Sequence, residues 1–333
     1  MPTRILNVGK QFVDVAKRNP FVAFGTVGAG SYLLSPLFTS FAKSGSITDA
    51  DSSKGFTLLT WNVLARPYTR YNAEHHRAHG RIEDRTQTMS RYTLAGEDIL
   101  SRGCDVVLLQ ECEAEFLEQK WNVAAPRLAD EYQVFRCSQG GEPGTAVLVR
   151  RNGRVVPRVQ PGEHRCVGGC QETGGNSKIA TVVPMQAGAR SFVAVSTHFA
   201  YDGMADKRLE HSRRIDEAVG NASVVVAGDF NSQPGASLDA LEAASKLFGR
   251  LKRAVLPHGS ATGLSSDFAE ETCIDHVYTS PDLVVLRAFP LARPANPYAG
   301  KATRPAKVAG ASDHVPVFAE LDISASPSVG AGS

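Results

Sequence analysis

Asp229 and Asn231 stand two residues apart behind a β-branched run, Val-Val-Val-Ala-Gly, in a segment closed by Pro234. In an extended chain, residues two apart project to the same side. A carboxylate and an amide are therefore aimed at one spot just past the end of a strand. The carboxylate can take a proton from water or hold a metal ion, and the amide can grip an oxyanion. An ordinary Asx turn would use the same residue types, so this stretch alone leaves both readings open. Its company narrows them. Asn62 lies at the end of the strand-like run Phe56–Val63, and Glu111 closes Asp105–Glu111. His198 follows Ser191–Thr197, Asp275 opens Ile274–Tyr278, and Asp313 with His314 precedes Val315–Leu321. Polar groups at so many strand ends point to a site assembled on one rim of a sheet core. Glu111 is the sharpest signal, because a carboxylate closing an aliphatic run is costly to bury unpaired.

Carboxylate and amide oxygens suit a hard cation, Mg²⁺ or Mn²⁺. Glu111 is the best candidate ligand, with Asn62 and Asp313 as further oxygen donors. A divalent ion beside a phosphate polarises the P–O bonds and stabilises the leaving oxygen. Asp229 is then placed to orient and deprotonate water, and Asn231 to bind a non-bridging oxygen or steady Asp229. His314 and Asp275 form a plausible imidazole–carboxylate pair, which would keep the imidazole charged or fix its tautomer. His198 is a second imidazole for the phosphate or the leaving group. His276 follows Asp275 and should point to the other face. The chain has no Gly-rich Walker motif and no Gly-x-Ser-x-Gly elbow, so NTPase and serine-hydrolase chemistry lack their residues.

The elements that must position these groups alternate strands with helices. Residues 83–102 form one expected helix, with Met89, Tyr92, Ala95 and Ile99 along a stripe. A second is expected to carry Phe116, Leu117, Trp121, Ala124 and Leu128, a third to span 205–220, and a fourth 237–249. Further strands fit Tyr132–Phe135, Thr145–Arg150 and Lys178–Met185.

The chain has 333 residues, 42% hydrophobic and 21% charged, with a net charge of only +2. That is globular composition without the basic excess of a protein that coats long nucleic acid. The positive charge sits at the front, where Arg4, Lys10, Lys17, Arg18 and Lys43 face Asp14 alone within residues 1–45. Residues 4–18 have the spacing of a basic amphipathic segment, and 20–41 carry no charge. We expect 1–45 to be a targeting or membrane-anchor segment, mitochondrial or membrane-bound, with association through 20–41. A signal anchor of the secretory route and an N-terminal arm packed on the domain are the alternatives. Residues 46–55 fit a linker, 56–323 the catalytic domain and 324–333 a disordered tail, in a monomer. Of six cysteines, Cys104 and Cys273 sit in apolar contexts. His164, Cys166 and Cys170 lie close together in a Gly-rich loop, where neither a zinc site nor a Cys166–Cys170 disulfide is expected.

The motifs Thr60-Trp61-Asn62-Val63, Leu109-Gln110-Glu111, Ser196-Thr197-His198, Gly228-Asp229-Phe230-Asn231-Ser232, Ile274-Asp275-His276-Val277 and Ser312-Asp313-His314-Val315-Pro316 occur in that order. Together they resemble the endonuclease/exonuclease/phosphatase superfamily over roughly residues 56–322. The resemblance implies an α/β fold, a four-layer α/β sandwich of two mainly antiparallel β-sheets packed face to face and flanked by helices. It also implies Mg²⁺-dependent cleavage of phosphoester bonds, with the metal held chiefly by Asn62, Glu111 and Asp313. Trp61 to Ala65 and Asn176 are similar to the deadenylase, nocturnin and oligoadenylate phosphodiesterase branch. This implies RNA or a nucleotide-like substrate, with Asn176 touching it. The Arg- and His-rich segment 66–91 could clamp phosphates, and Arg85 and Arg91 are its assigned contacts; a solvated face is the other reading. A lipid or inositol phosphate phosphatase and an inactive binding module are the alternative functions.

Overall fold

The structure, a computed structural model, describes residues 55–71, 84–140, 142–171, 177–201, 203–257, 260, 262–264, 271–291 and 311–323. The segments 1–45, 46–54 and 324–333, and with them the uncharged stretch 20–41, lie outside those residues. Among the described residues no helix is long and apolar enough to cross a membrane.

Fifteen strands form among the described residues, in chain order: β1 (Gly55–Asn62), β2 (Val106–Cys112), β3 (Tyr132–Cys137), β4 (Gly144–Arg150), β5 (Val155–Pro157), β6 (Arg165–Gln171), β7 (Ser177–Ala187), β8 (Arg190–His198), β9 (Val224–Asp229), β10 (Lys252–Arg253), β11 (Gly263–Leu264), β12 (Glu271–Thr272), β13 (Asp275–Thr279), β14 (Val284–Pro290) and β15 (Val317–Asp322). One sheet runs β14-β15-β1-β2-β4-β3. The other runs β10-β13-β9-β8-β7-β5, with β6 also on β7, and β11 pairs with β12 as a separate ribbon. Pairing is antiparallel except at β1–β2 and β8–β9, which are parallel. A parallel pair needs a crossover, usually helical. Here the crossovers are α1 (Arg85–Arg102) and α3 (Ala205–Val219). Between them in sequence lies α2 (Ala125–Glu131), and α4 (Ala236–Ala244) and α5 (Lys246–Gly249) follow β9.

The layers follow from side-chain alternation. Phe56 and Leu58 of β1, Val106 and Leu108 of β2, Ala194 of β8, Val225 and Ala227 of β9, and Val277 of β13 meet between the sheets. The alternate residues face outward. Leu59, Trp61, Val107 and Leu109 pack under Tyr92, Ala95 and Ile99 of α1. Val195, Val224 and Val226 pack under Ile215 of α3 and Leu238 and Leu241 of α4. The four layers of the expected sandwich are present. Burial of each such aliphatic or aromatic side chain favours the fold by roughly 1.5–3 kcal/mol. The start of α1 is fixed by a capping box between Asp84 and Gln87, and Gly103 ends it at φ 59°, a left-handed conformation that suits glycine.

Three expectations need correcting. The helix expected through Phe116 and Leu128 is a 3₁₀ turn, Ala114–Leu117, followed by the short α2. Pro126 explains the break, since a proline ring clashes with the carbonyl four residues back. That residue is Asn122, whose buried amide instead donates to the Phe116 carbonyl at 2.7 Å and accepts from the Ala124 N–H at 2.9 Å. The helix expected over 237–249 divides at Ser245, whose hydroxyl caps α5 by accepting from the Phe248 N–H. Finally, the Gly-rich segment around Cys166 is strand β6, and a disulfide joins Cys137 on β3 to Cys166. Gly169 keeps β6 close to its neighbours, because a Cβ there would lie 2.5 Å from the Lys178 carbonyl oxygen.

Candidate active site

Along the strands the space between the sheets changes from apolar to polar. Past the aliphatic layer lies a belt of Thr60, Gln110, Thr145, Thr181 and Ser196, all fully buried. Its members bond to one another, though Gln110 Oε1 finds no partner among the described residues. Gln110 Nε2 donates to Thr60 Oγ1 at 3.2 Å and Ser196 Oγ at 3.1 Å, and Thr145 and Thr181 share a 2.8 Å hydroxyl contact. One residue pair further, on the same inward faces, come Asn62, His198, Asp229 and Asp275. The site is therefore the polar end of the inter-sheet core, at the C-terminal ends of both parallel strand pairs. Register sets its geometry: His198 lies opposite Asp229 and Asp229 opposite Asp275, so three neighbouring strands present one row of side chains. His276 points the other way, with Nε2 2.8 Å from the Ser232 carbonyl oxygen.

Asp229 is the hub. Its Oδ2 accepts from Asn62 Nδ2 at 3.0 Å and lies 3.3 Å from His198 Nε2 and 3.6 Å from His314 Nε2. Its Oδ1 accepts from the Asn231 N–H at 2.8 Å. The Asn231 amide donates to the Phe199 carbonyl at 2.9 Å and contacts His198 Nε2 at 3.0 Å. Asn231 thus steadies both Asp229 and His198. On the far side, His314 Nδ1 meets Asp275 Oδ2 at 2.8 Å.

Glu111 comes from the other sheet. A bulge between Gln110 and Cys112 turns it off the β2 ladder, as bulges beside active sites do. It is held at φ 54°, and Asn231 at φ 49°. Non-glycine residues in this left-handed region carry strain that the surroundings must hold. Glu111 Oε1 accepts from Asn62 Nδ2 at 3.0 Å, and Oε2 from the Ala65 N–H at 2.9 Å. Asn62 therefore ties the carboxylates of the two sheets together.

The charges sort into distinct states. Burial, and then Asp313, push Glu111 up to about 7, against the pull of Asn62 and Lys178. Burial would raise Asp229 too, but His198, His314 and Lys178 outweigh it and hold it below the usual carboxylate range. Burial and Lys178 push His198 down to about 3, so it is neutral. The cations acting on Asp229 at neutral pH are thus His314 and Lys178. Burial opposes the charge on His314, yet Asp275 and Asp229 raise it well above its ordinary value, so it is an imidazolium. Burial lifts Asp275 to about 6 despite His314.

Arg91 lies behind the site, not in it. Its buried Nη1 donates to the carbonyls of Val63 at 2.8 Å, Leu64 at 2.6 Å and Ala311 at 3.2 Å. It clasps the segment after Asn62 to the segment before Ser312, Asp313 and His314. Arg85 is exposed, 5.2 Å over the Trp121 ring, with Nη2 3.3 Å from the Lys120 carbonyl oxygen. Asn176 lies outside the described residues. Sequence reasoning missed Lys178, which lines the pocket with Tyr68, Glu111, Gly144 and His198. The available signal was the one that found Glu111: a charge at the end of an aliphatic strand, here Lys-Ile-Ala-Thr-Val-Val.

The donor set fits a divalent cation. Glu111, His198 and Asp229 offer ligand atoms within 4.8 Å of one another, and Glu111 holds a proton near neutrality for want of positive charge. A second group, Cys137, His164 and Cys166, has its two sulfurs joined in the disulfide.

The sequence matches the model of the Endonuclease/Exonuclease/phosphatase family over residues 59–314, and the chain belongs to that family, whose members are phosphoester hydrolases. No curated protein matches the sequence. Among solved structures it is similar to an endonuclease/exonuclease/phosphatase family protein from Bacteroides thetaiotaomicron, at 18% identity and TM-score 0.57, covering 80% of this chain and 97% of that one. It is similar to a mannosyl-6-phosphatase of the same organism, at 19% identity and TM-score 0.55, covering 80% and 99%. It is also similar to the human nocturnin catalytic domain with bound sulfate, at 18% identity and TM-score 0.51, covering 81% and 93%.

Proposed function

We propose that the chain is a Mg²⁺- or Mn²⁺-dependent phosphodiesterase that hydrolyses RNA or a nucleotide-like substrate. The observation that carries this reading is the hub at Asp229: an ionised, buried carboxylate held by Asn62 and Asn231 beside an imidazolium, His314. Asp229 is the base that orients and deprotonates water. His314, kept charged by Asp275, donates to a non-bridging phosphate oxygen as negative charge builds there. His198 is neutral, and its Nε2 faces the Asn231 amide, so it positions rather than supplies charge. Asn62 holds Glu111 and Asp229 at a fixed separation. Glu111, with Asn62 and Asp313, would hold the cation, which polarises the P–O bond and stabilises the leaving oxygen when bound.

The likeness to nocturnin with its sulfate, an anion of phosphate's shape, supports a phosphate-bearing substrate, and the resemblance at Trp61 to Ala65 favours a nucleotide; the likeness to a mannosyl-6-phosphatase supports a second reading, a phosphatase of small phosphate esters. One panel separates them: residues 50–325 and the full chain with Mg²⁺, against poly(A), mixed RNA, single- and double-stranded DNA, 2′,5′-oligoadenylate, NADP, mannose 6-phosphate and phosphoinositides. Turnover of RNA or nucleotides supports the first reading. Turnover confined to sugar or lipid phosphates would replace it with the second.

A further inference from the structure

Lys178 is a lysine almost wholly withdrawn from solvent, yet it lines the pocket between Glu111 and His198. Its Nζ lies 2.9 Å from His198 Nε2 and 5.3 Å over the Tyr201 ring. Its charge acts on Glu111 and on Asp229. Two-metal phosphoesterase sites hold their ions about 3.5–4 Å apart. With one ion on Glu111, Asn62 and Asp313, a second would have to use His198 and Asp229, whose ligand atoms lie within 4.8 Å of each other and of Glu111. The ligand that would define it is already engaged: His198 Nε2 faces Lys178 Nζ at 2.9 Å and Asn231 Nδ2 at 3.0 Å. An ion on that nitrogen would have to displace an ammonium and an amide at once, against the repulsion of like charges. An ammonium is itself a compact point charge with three donors, suited to a phosphate oxygen.

We propose that Lys178 is a substrate-binding residue whose ammonium grips a non-bridging phosphate oxygen and holds the place of a second metal ion, so that the site works with a single divalent cation. This rests on the phosphoesterase reading above. The test is a Mn²⁺ titration of the full chain, following the paramagnetic resonance of the free ion. Hydrolysis of p-nitrophenyl phosphate and bis(p-nitrophenyl) phosphate is measured on the same samples. Wild type and K178R are expected to bind one Mn²⁺ per chain. In K178M a second Mn²⁺ is expected to bind at least tenfold more tightly than in wild type, while kcat/KM falls roughly 10²–10³-fold and K178R recovers part of the loss. K178Q runs beside K178M, so that a folding failure of either leaves the other to decide. Two Mn²⁺ per wild-type chain, or wild-type kcat/KM in K178M, overturns the proposal. The readings fail separately: hydrolysis that K178M retains removes only the role of Lys178, whereas a wild type that hydrolyses neither ester takes down both.

Discussion

The two sheets meet at one rim, and each brings a parallel strand pair to it, but they bring different electrostatics. The β1–β2 side contributes Asn62 and Glu111, and the chain just before β15 adds Asp313. There Glu111 is pushed up to about 7 because burial and Asp313 find too little positive charge. The β8–β9 side contributes His198, Asp229 and Asn231, and β13 adds Asp275. There Asp229 is held low despite its burial by groups of the chain itself, His198, His314 and Lys178. One side is under-compensated and suits an ion from outside; the other is complete and suits a fixed reaction geometry. A rim lined by carboxylates is thus two unlike half-sites, which Asn62 joins by donating to both Glu111 and Asp229.

The largest expected effect falls on the complete half. D229N keeps the shape and removes the proposed base, so kcat should fall about 10³-fold or more with KM and melting temperature little changed. A drop in KM affinity with kcat intact would move the base elsewhere.

The under-compensated half should show itself through pH. An unfolded glutamate titrates near 4.5, and Glu111 in the fold at about 7. Its stabilising contribution to the metal-free protein is therefore complete below pH 4.5 and is lost as pH rises through about 7. A divalent cation acts in the opposite sense, because it needs the carboxylate ionised. Mn²⁺ affinity should rise about tenfold per pH unit up to about pH 7 and then level off. In E111Q that pH dependence should vanish, with affinity down roughly 100-fold. Calorimetric titrations at pH 5.5, 6.5 and 7.5 read this directly, and a flat profile in wild type would dissolve the contrast between the halves.

Smaller again is the brace that holds the first half in place. R91M leaves the carbonyls of Val63, Leu64 and Ala311 without their donor, and should cost about 2 kcal/mol or more in urea unfolding. Activity should fall through misplaced Asn62 and His314, with the pH profile unchanged. The smallest effect belongs to R85A. Its exposed guanidinium touches one carbonyl and one ring, so stability should shift by about 0.5 kcal/mol or less. A tenfold rise in KM would instead return Arg85 to the substrate.

These contrasts also show what could be read from the sequence. Glu111 and Asp229 were legible because a buried strand tolerates charge only where something repays it, and two-residue alternation put Asp275 in the site and His276 out of it. Lys178 escaped, since a lysine opening a strand is ordinary at a sheet edge, and only the fold shows that this end faces inward. Arg91 had the right chemistry for substrate but is spent on carbonyls far away in sequence. The Cys137–Cys166 bridge joins strands of different sheets, which no local spacing reveals, and the glycines hid strand β6, where at Gly169 the neighbouring Lys178 carbonyl leaves no room for a side chain.

The most direct test of a cation-dependent hydrolase built on Asp229 is the rate of p-nitrophenol release from bis(p-nitrophenyl) phosphate by the chelator-stripped full chain, before and after Mg²⁺ or Mn²⁺, with D229N alongside. The expected result is silence after stripping, recovery with either ion, and no recovery in D229N. Full activity in chelator, or a D229N rate equal to wild type, would contradict it.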